Sequence, residues 1–400
     1  MAALRPPAVP WRALIALGGL GLAGIFGLAV AVMPARGFGA AMALAYLPLV
    51  LLNLPAGLAV WIALVFLDKL PQLGLAGTLA GTLVIAAWLG TMGSRRETVR
   101  ATLERHRWLL TTLLLFVTWL GLSLAWADQP DIGTPELVEY AIALVVFVVV
   151  ATTPRTPRHL LLLTSAFVIG AAIIVLVGFA QGGLRPAPSA LAAEDGFGGR
   201  LATGGTDPNY LAAGLVPAIA LAAGLAGVTR DPMKRLGLAL VIAAAGLGLA
   251  TTQSRGGLLA AGVAIAVGFV VAPGRRRQVL AVAAVLVTCI AAWLAVDPSF
   301  LARLTDDDRG GTGRTELWSV ALKMAGDHPV NGVGLLQFPV NSADYARDSG
   351  SLEFSSFLTE QPKVTHNAYL QMLAETGVDR KSGSAGMPRP NTKSRMPSSA

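Results

Sequence analysis

Charge is what this chain has least of: 14% of its 400 residues are Asp, Glu, Lys or Arg, against about 25% in an average soluble domain. With 54% hydrophobic residues and a mean hydropathy of +0.62, an ordinary soluble protein is excluded. Cysteine is almost absent. Cys289 stands alone inside an apolar run, which rules out an internal disulfide and a cysteine metal site and leaves a small buried hydrophobe. Repeats are scarce, and the one low-complexity tract is the end. Asp379 to Ala400 is polar, rich in Pro and Ser and without periodicity, a composition expected to be disordered.

Apolar runs are what is present. A helix needs roughly 17 to 25 apolar residues to cross about 30 Å of hydrocarbon, and abundant Gly and Ala suit helices that approach closely in lipid. The fold class is therefore all-α, a polytopic transmembrane bundle of about eleven spans. They are placed at 13–33, 38–52, 54–66, 73–92, 109–126, 138–152, 160–181, 210–228, 236–251, 256–271 and 279–296. Met1 to Met33 has the basic start of a signal peptide, but its run is long and the next follows closely, so it is taken as a retained first span. The second and third are short and broken near Asn53 and Pro55, a pattern that also fits one kinked or re-entrant element.

The formal net charge of +8 does not point to nucleic acid, because most basic residues lie in short connectors, where positive charge orients spans. With a cytoplasmic N-terminus, the inside connectors carry fifteen Lys or Arg and the short outside connectors five. Residues after Val296 then face outward. The stretch Asp297 to Val378 is the only long segment dense in polar residues, and it holds Arg314, Asp327, His328, His366 and Glu375. The expected organisation is a bundle over 1–296, a large outer loop over 297–378 and a polar tail over 379–400.

Four residues from separate parts of the chain fall on that outer side. Arg255 lies in a connector with almost no length. It is either a snorkelling arginine at a helix end or an anion site, since a guanidinium fork matches phosphate oxygens; Gly256 and Gly257 would let a ligand approach the backbone. Arg314 opens a helix expected over Thr315 to Ala325, with Gly326 as its cap. A cation there opposes the helix dipole, which a bound anion would explain; a solvated loop arginine is the plainer reading. His366 precedes a short helix capped by Asn367 and ended at Gly377, and a neutral imidazole can take a proton from an attacking hydroxyl. Arg200, in a Gly-rich loop before the cap Asp207–Pro208–Asn209, is a weaker candidate for the same anion. Asp306, Asp307 and Asp308 are read as a solvated turn, His328 as a turn residue at a helix end, and His106 and His159 as solvated.

Four motifs carry a family resemblance: TDPNYLA at Thr206 to Ala212, TQSRGGLLA at Thr252 to Ala260, GRTELWSVALKMAGDHPVNGVG at Gly313 to Gly334, and HNAYLQMLAETG at His366 to Gly377. In this order, in a many-span chain, they resemble the O-antigen ligase and polymerase family. The resemblance implies an inverting glycosyltransferase on the periplasmic face of a bacterial inner membrane. It would move a glycan from an undecaprenyl-diphosphate carrier to a lipid A core or a growing chain, with no cofactor, nucleotide sugar or essential metal. It casts His366 as general base, or as the group that positions the acceptor hydroxyl, and Arg255, Arg314 and, more weakly, Arg200 as ligands of the diphosphate. It also implies a twelfth span after Val378, where this chain instead turns polar. Ligase, polymerase and protein-glycosylating members share these motifs. A transporter or flippase of lipid-linked sugars would also want a cationic outer cavity, but has no use for a hydroxyl-activating histidine.

Overall fold

Three of the long helices begin with a side-chain acceptor followed by proline, the combination that satisfies the free N–H groups of a first turn and pre-sets its φ. Thr156 accepts from His159 N ahead of Pro157, Asp207 from Asn209 N ahead of Pro208, and Asp231 from Met233 N and Lys234 N ahead of Pro232. In this computed structural model, which describes residues 46–70, 73–182, 200–203, 206–298, 300–301, 314–348 and 364–377, the regular structure is helical, with no strand among them. The helices are α1 (Leu54–Val65), α2 (Gly74–Arg105), α3 (Arg107–Ser123), α4 (Pro130–Thr152), α5 (Pro157–Ala180), α6 (Pro208–Val228), α7 (Pro232–Thr251), α8 (Arg255–Val271), α9 (Arg276–Val296), α10 (Arg314–Asp327), α11 (Phe338–Asp348) and α12 (Ala368–Thr376). Among the described residues, seven helical segments are long and apolar enough to cross a membrane, and α1 and α8 are shorter apolar helices. The expected span 13–33 and the tail 379–400 lie outside the described residues, as do Asp306 to Asp308.

Where the residues are described, the expected spans fall on helices, but several of the helices begin earlier than expected. The helix expected from Val138 starts at Pro130 and the one expected from Leu236 at Pro232, because a helix begins at its polar cap, before its first apolar residue. The largest difference is α2, expected to end near Met92. It continues to Arg105 for 32 residues, about 48 Å at 1.5 Å per residue. Ser94 to Arg105 is built of strong helix formers, and the exposed Arg100–Glu104 pair at 2.7 Å has the i,i+4 spacing that supports a helix. Asn53 breaks the chain as expected. Residues 46–52 are helical, Asn53 caps α1 through Ala56 N, and the Tyr46 hydroxyl donates to Gly57 O at 2.6 Å. That contact spans eleven residues, so the chain bends sharply at Asn53.

The chain divides into two compact units, Met1–His106 with Val145–Asp306, and Arg107–Leu144 with Asp307–Ala400. In the first, α5, α6 and α7 surround a core of Val175, Leu215, Ala218 and Leu249. Close backbone approach is built in, since a Cβ on Gly170 would stand 2.7 Å from Ala63 O. Arg95, expected in a solvated basic connector, is buried. It donates from Nη2 to Thr152 O at 2.8 Å and Thr153 O at 3.0 Å, closing carbonyls that the end of α4 leaves without helical partners.

In the second unit the described residues of the polar stretch form a packed structure. Leu317, Val320, Ala321 and Met324 of α10 form a core with Val333, Phe338, Ala346 and Ala374. Residues at the end of α3 and in the link from α3 to α4 hold the stretch by specific bonds. Ser123 Oγ accepts from Leu335 N at 3.0 Å, the Trp119 and Trp126 indoles donate to Thr376 O and Asn331 O, and Gln337 exchanges two amide bonds with the backbone of Gln129. Gly332, at φ +62, lies flat on the end of α12: a Cβ there would stand 2.2 Å from the carbonyl carbon of Glu375. Gly326, expected to cap α10, lies inside it, since the helix runs on to Asp327 and the left-handed backbone is placed at Gly332 and Gly334 instead.

Candidate active site

Within the first unit the structure brings two of the sequence motifs, with Arg200, together at the C-terminal end of α7. The segment from Thr251 to Ser254 is buried and turns through Gln253 at φ +50 before α8 starts at Arg255. Leu201 N donates to Thr251 O at 2.9 Å. The Arg200 guanidinium donates from Nε to Thr252 O at 2.8 Å and from Nη2 to Asn209 Oδ1 at 3.0 Å. Ser254 Oγ donates to the same Asn209 oxygen at 2.8 Å and accepts from Gly257 N, capping α8. Gln253 reaches Asp297 Oδ2 from Nε2 at 3.1 Å, while its buried Oε1 has no hydrogen-bond partner.

Arg255 is exposed, at the first position of this capped helix. Arg200 braces the turn that presents Arg255, so the two are joined through Asn209 and Ser254. The adjacent glycines differ. Gly256 is open, whereas a Cβ on Gly257 would meet Ala212 at 2.7 Å; Gly257 therefore serves the packing of α8 on α6, a correction to its expected role in ligand approach.

Within the second unit, α10 starts at Arg314. Trp318, one turn further on, donates its indole N–H to Thr365 O at 3.0 Å, so the head of α10 is tied to the residue before His366. His366 is exposed and has φ +51, a left-handed conformation uncommon for a non-glycine residue, though His adopts it more often than most. Asn367 caps α12 as expected, its Oδ1 accepting from Tyr369 N and Leu370 N, and Gly377 at φ +68 ends it. His328 lies in the turn after α10, where Gly332 N donates to its carbonyl at 3.1 Å.

Glu375, unassigned by the motifs, is wholly buried. Its Oε2 accepts from Leu336 N at 2.9 Å; its Oε1 accepts from Phe338 N at 3.3 Å and from Gln371 Nε2 at 3.0 Å. Burial pushes its pKa from an ordinary 4.5 up to about 7, the three donors work against that rise, and the Glu136 carboxylate in α4 adds a little to it. A native pKa above the unfolded one means that the folded chain holds the extra proton between about pH 4.5 and 7. This contribution to stability is therefore full below about 4.5 and is lost as pH rises through about 7, at no more than about 1.4 kcal/mol per pH unit. Thermal unfolding in detergent from pH 4.5 to 8 should accordingly show the advantage of the native chain over Glu375→Gln shrinking as pH rises; an advantage that stays constant would contradict the assignment.

Seven helical segments among the described residues are long and apolar enough to span a membrane, which defines a multi-pass membrane protein. Residues 238–378 match the family model described as O-antigen ligase. The matched segment runs from within α7 to just past the end of α12 and is similar to that family over about a third of the chain; it contains the motifs that begin at Thr252, Gly313 and His366, while the one at Thr206 lies before it. No curated protein and no solved structure matches the chain. Arg255, Arg314 and His366 lie within the matched segment, and Arg200 lies before it.

Proposed function

We propose that this chain is an inverting glycosyltransferase that moves a glycan from an undecaprenyl-diphosphate carrier to an acceptor hydroxyl, the lipid A core, on the periplasmic face of a bacterial inner membrane. The observation that carries this reading is the match to the O-antigen ligase family over residues 238–378, a segment that contains each of the principal candidates. In the proposed displacement the acceptor oxygen attacks the anomeric carbon and the bond from that carbon to the diphosphate oxygen breaks. His366 takes the acceptor proton, and the electron pair leaves on the lipid diphosphate. Arg255 and Arg314, with Arg200 in support, stabilise the charge growing on that leaving group, a task suited to preorganised guanidinium groups at a water-poor interface. Such a mechanism needs no nucleotide sugar and no metal.

The proposed orientation, with a cytoplasmic N-terminus, rests on the charge of the connectors. It is tested by thiol labelling of cells in a Cys289→Ala background. Asp344, whose side chain is 78% exposed, should react as Asp344→Cys with an impermeant reagent from outside, and Arg230→Cys only after permeabilisation. The reverse pattern would place the loop on the cytoplasmic side and sink the reading.

A further inference from the structure

His366 sits in a left-handed backbone conformation that few non-glycine residues adopt. A non-glycine residue at positive φ costs energy unless its surroundings fix it, so the bonds around His366 show what fixes it. Thr365 Oγ1 donates to Asn367 O at 2.8 Å and accepts from Asn367 N at 3.1 Å. One hydroxyl thus clamps the residue after His366 from the residue before it. The same hydroxyl lies 3.4 Å from Gln371 Oε1, and Gln371 Nε2 donates to Glu375 Oε1 at 3.0 Å. Thr365 and Glu375 are both fully buried.

The direction of this relay is set at its buried end. Three donors converge on Glu375 (Leu336 N, Phe338 N and Gln371 Nε2). Each Glu375 oxygen already accepts from a backbone N–H, so the Gln371 amide turns its N–H₂ to Oε1 and its oxygen to Thr365. Were Glu375 apolar, the amide would have no reason to keep that orientation, and the Thr365 hydroxyl, whose one proton goes mainly to Asn367 O at 2.8 Å, would lose its weaker second acceptor at 3.4 Å. Glu375 also holds a second residue at positive φ, Leu336 at +57, through the bond to its N–H. Among the described residues of the unit, one buried carboxylate is therefore bonded at or linked toward both non-glycine residues at positive φ.

We propose that Glu375 is a positioning residue which, through Gln371 and Thr365, fixes the backbone at His366 and so the placement of its imidazole. The proposal rests on the reading of His366 as the group that handles the acceptor proton. It predicts a loss in the chemical step with substrate binding spared, because the relay reaches the imidazole only through the backbone that carries it.

The test uses the full chain, purified and supplied with a polyprenyl-diphosphate glycan donor and a lipid A core acceptor, and compares His366→Ala, Thr365→Val, Thr365→Ser and Gln371→Leu. Thr365→Val removes the hydroxyl at nearly constant shape, and Thr365→Ser keeps it. Thr365→Val and Gln371→Leu should lower kcat by about tenfold or more, with donor KM changed less than about twofold, and Thr365→Ser should stay near the native rate. Thermal unfolding in the same detergent separates misplacement from loss of structure; if Thr365→Val does not fold, Gln371→Leu decides. If His366→Ala removes transfer while Thr365→Val and Gln371→Leu keep native kcat, the relay is refuted and the reading of His366 stands. If His366→Ala itself transfers normally, the reading falls and the relay with it. Equal losses in Thr365→Val and Thr365→Ser would overturn the role given to the hydroxyl.

Discussion

Replacing His366 with alanine should lower glycan transfer by roughly 10² to 10⁴-fold, the range that a positioned general base supplies, and leave donor binding intact. The size of the effect follows from chemistry. A sugar hydroxyl is a poor nucleophile until its proton is taken, and a neutral imidazole is suited to take it. The geometry adds a reason to expect a clean result. His366 is exposed and precedes the cap of α12, whose bonds come from Asn367 and Thr365; removal of the imidazole leaves that scaffold whole. Donor binding to the purified variant, measured beside its transfer rate, checks both halves. Unchanged transfer would remove His366 from the chemistry.

The second large effect concerns the arginines. Arg255→Ala and Arg314→Ala should each weaken binding of the lipid-diphosphate donor and lower transfer by on the order of 10², with acceptor binding nearly unchanged. Lysine at either position should restore only part of the loss, because an ammonium cannot reproduce the two-pronged fit of a guanidinium to phosphate oxygens. Arg200→Ala should behave differently. Its guanidinium bonds Thr252 O and Asn209, so its loss loosens the turn that presents Arg255, and Asn209→Ala should imitate it in part. Equal loss of donor and acceptor binding in Arg255→Ala and Arg314→Ala would count against a diphosphate site.

Much of this fold was legible in the sequence. A run such as Leu160 to Gln181 is apolar enough to be found by composition, and Asp207 and Asn367 announce helix starts through chemistry that acts over two or three residues. The long-range bonds left no such trace. The indole of Trp126 meets the carbonyl of Asn331 across 205 residues, and no periodicity or local propensity records that pairing. The extension of α2 was hidden for another reason: Ser94 to Arg105 is charged, and charge was taken as the mark of a connector although the same residues favour a helix.

The candidate site was legible where a motif named a residue and obscure where a residue acts on another. Arg255, Arg314 and His366 came from motifs; Asn209, Ser254, Trp318 and Gln371 became visible only through their bonds. Glu375 had left a signal. A carboxylate in the last turn of α12 opposes the helix dipole as surely as a cation does in the first turn, the oddity that singled out Arg314, and it called for buried donors such as Leu336 N and Phe338 N.

The central claim is that a glycan leaves a lipid diphosphate and becomes bonded to an acceptor at this chain. It is tested most directly by reconstituting the purified protein in liposomes with a polyprenyl-diphosphate glycan and a lipid A core, then following glycan, acceptor and lipid diphosphate together. The account predicts glycosylated acceptor and free lipid diphosphate in equal amounts, with the configuration at the anomeric carbon inverted, and none of this in His366→Ala. Movement of intact donor across the bilayer, with no bond broken and no dependence on His366, would contradict it and mark the chain as a transporter.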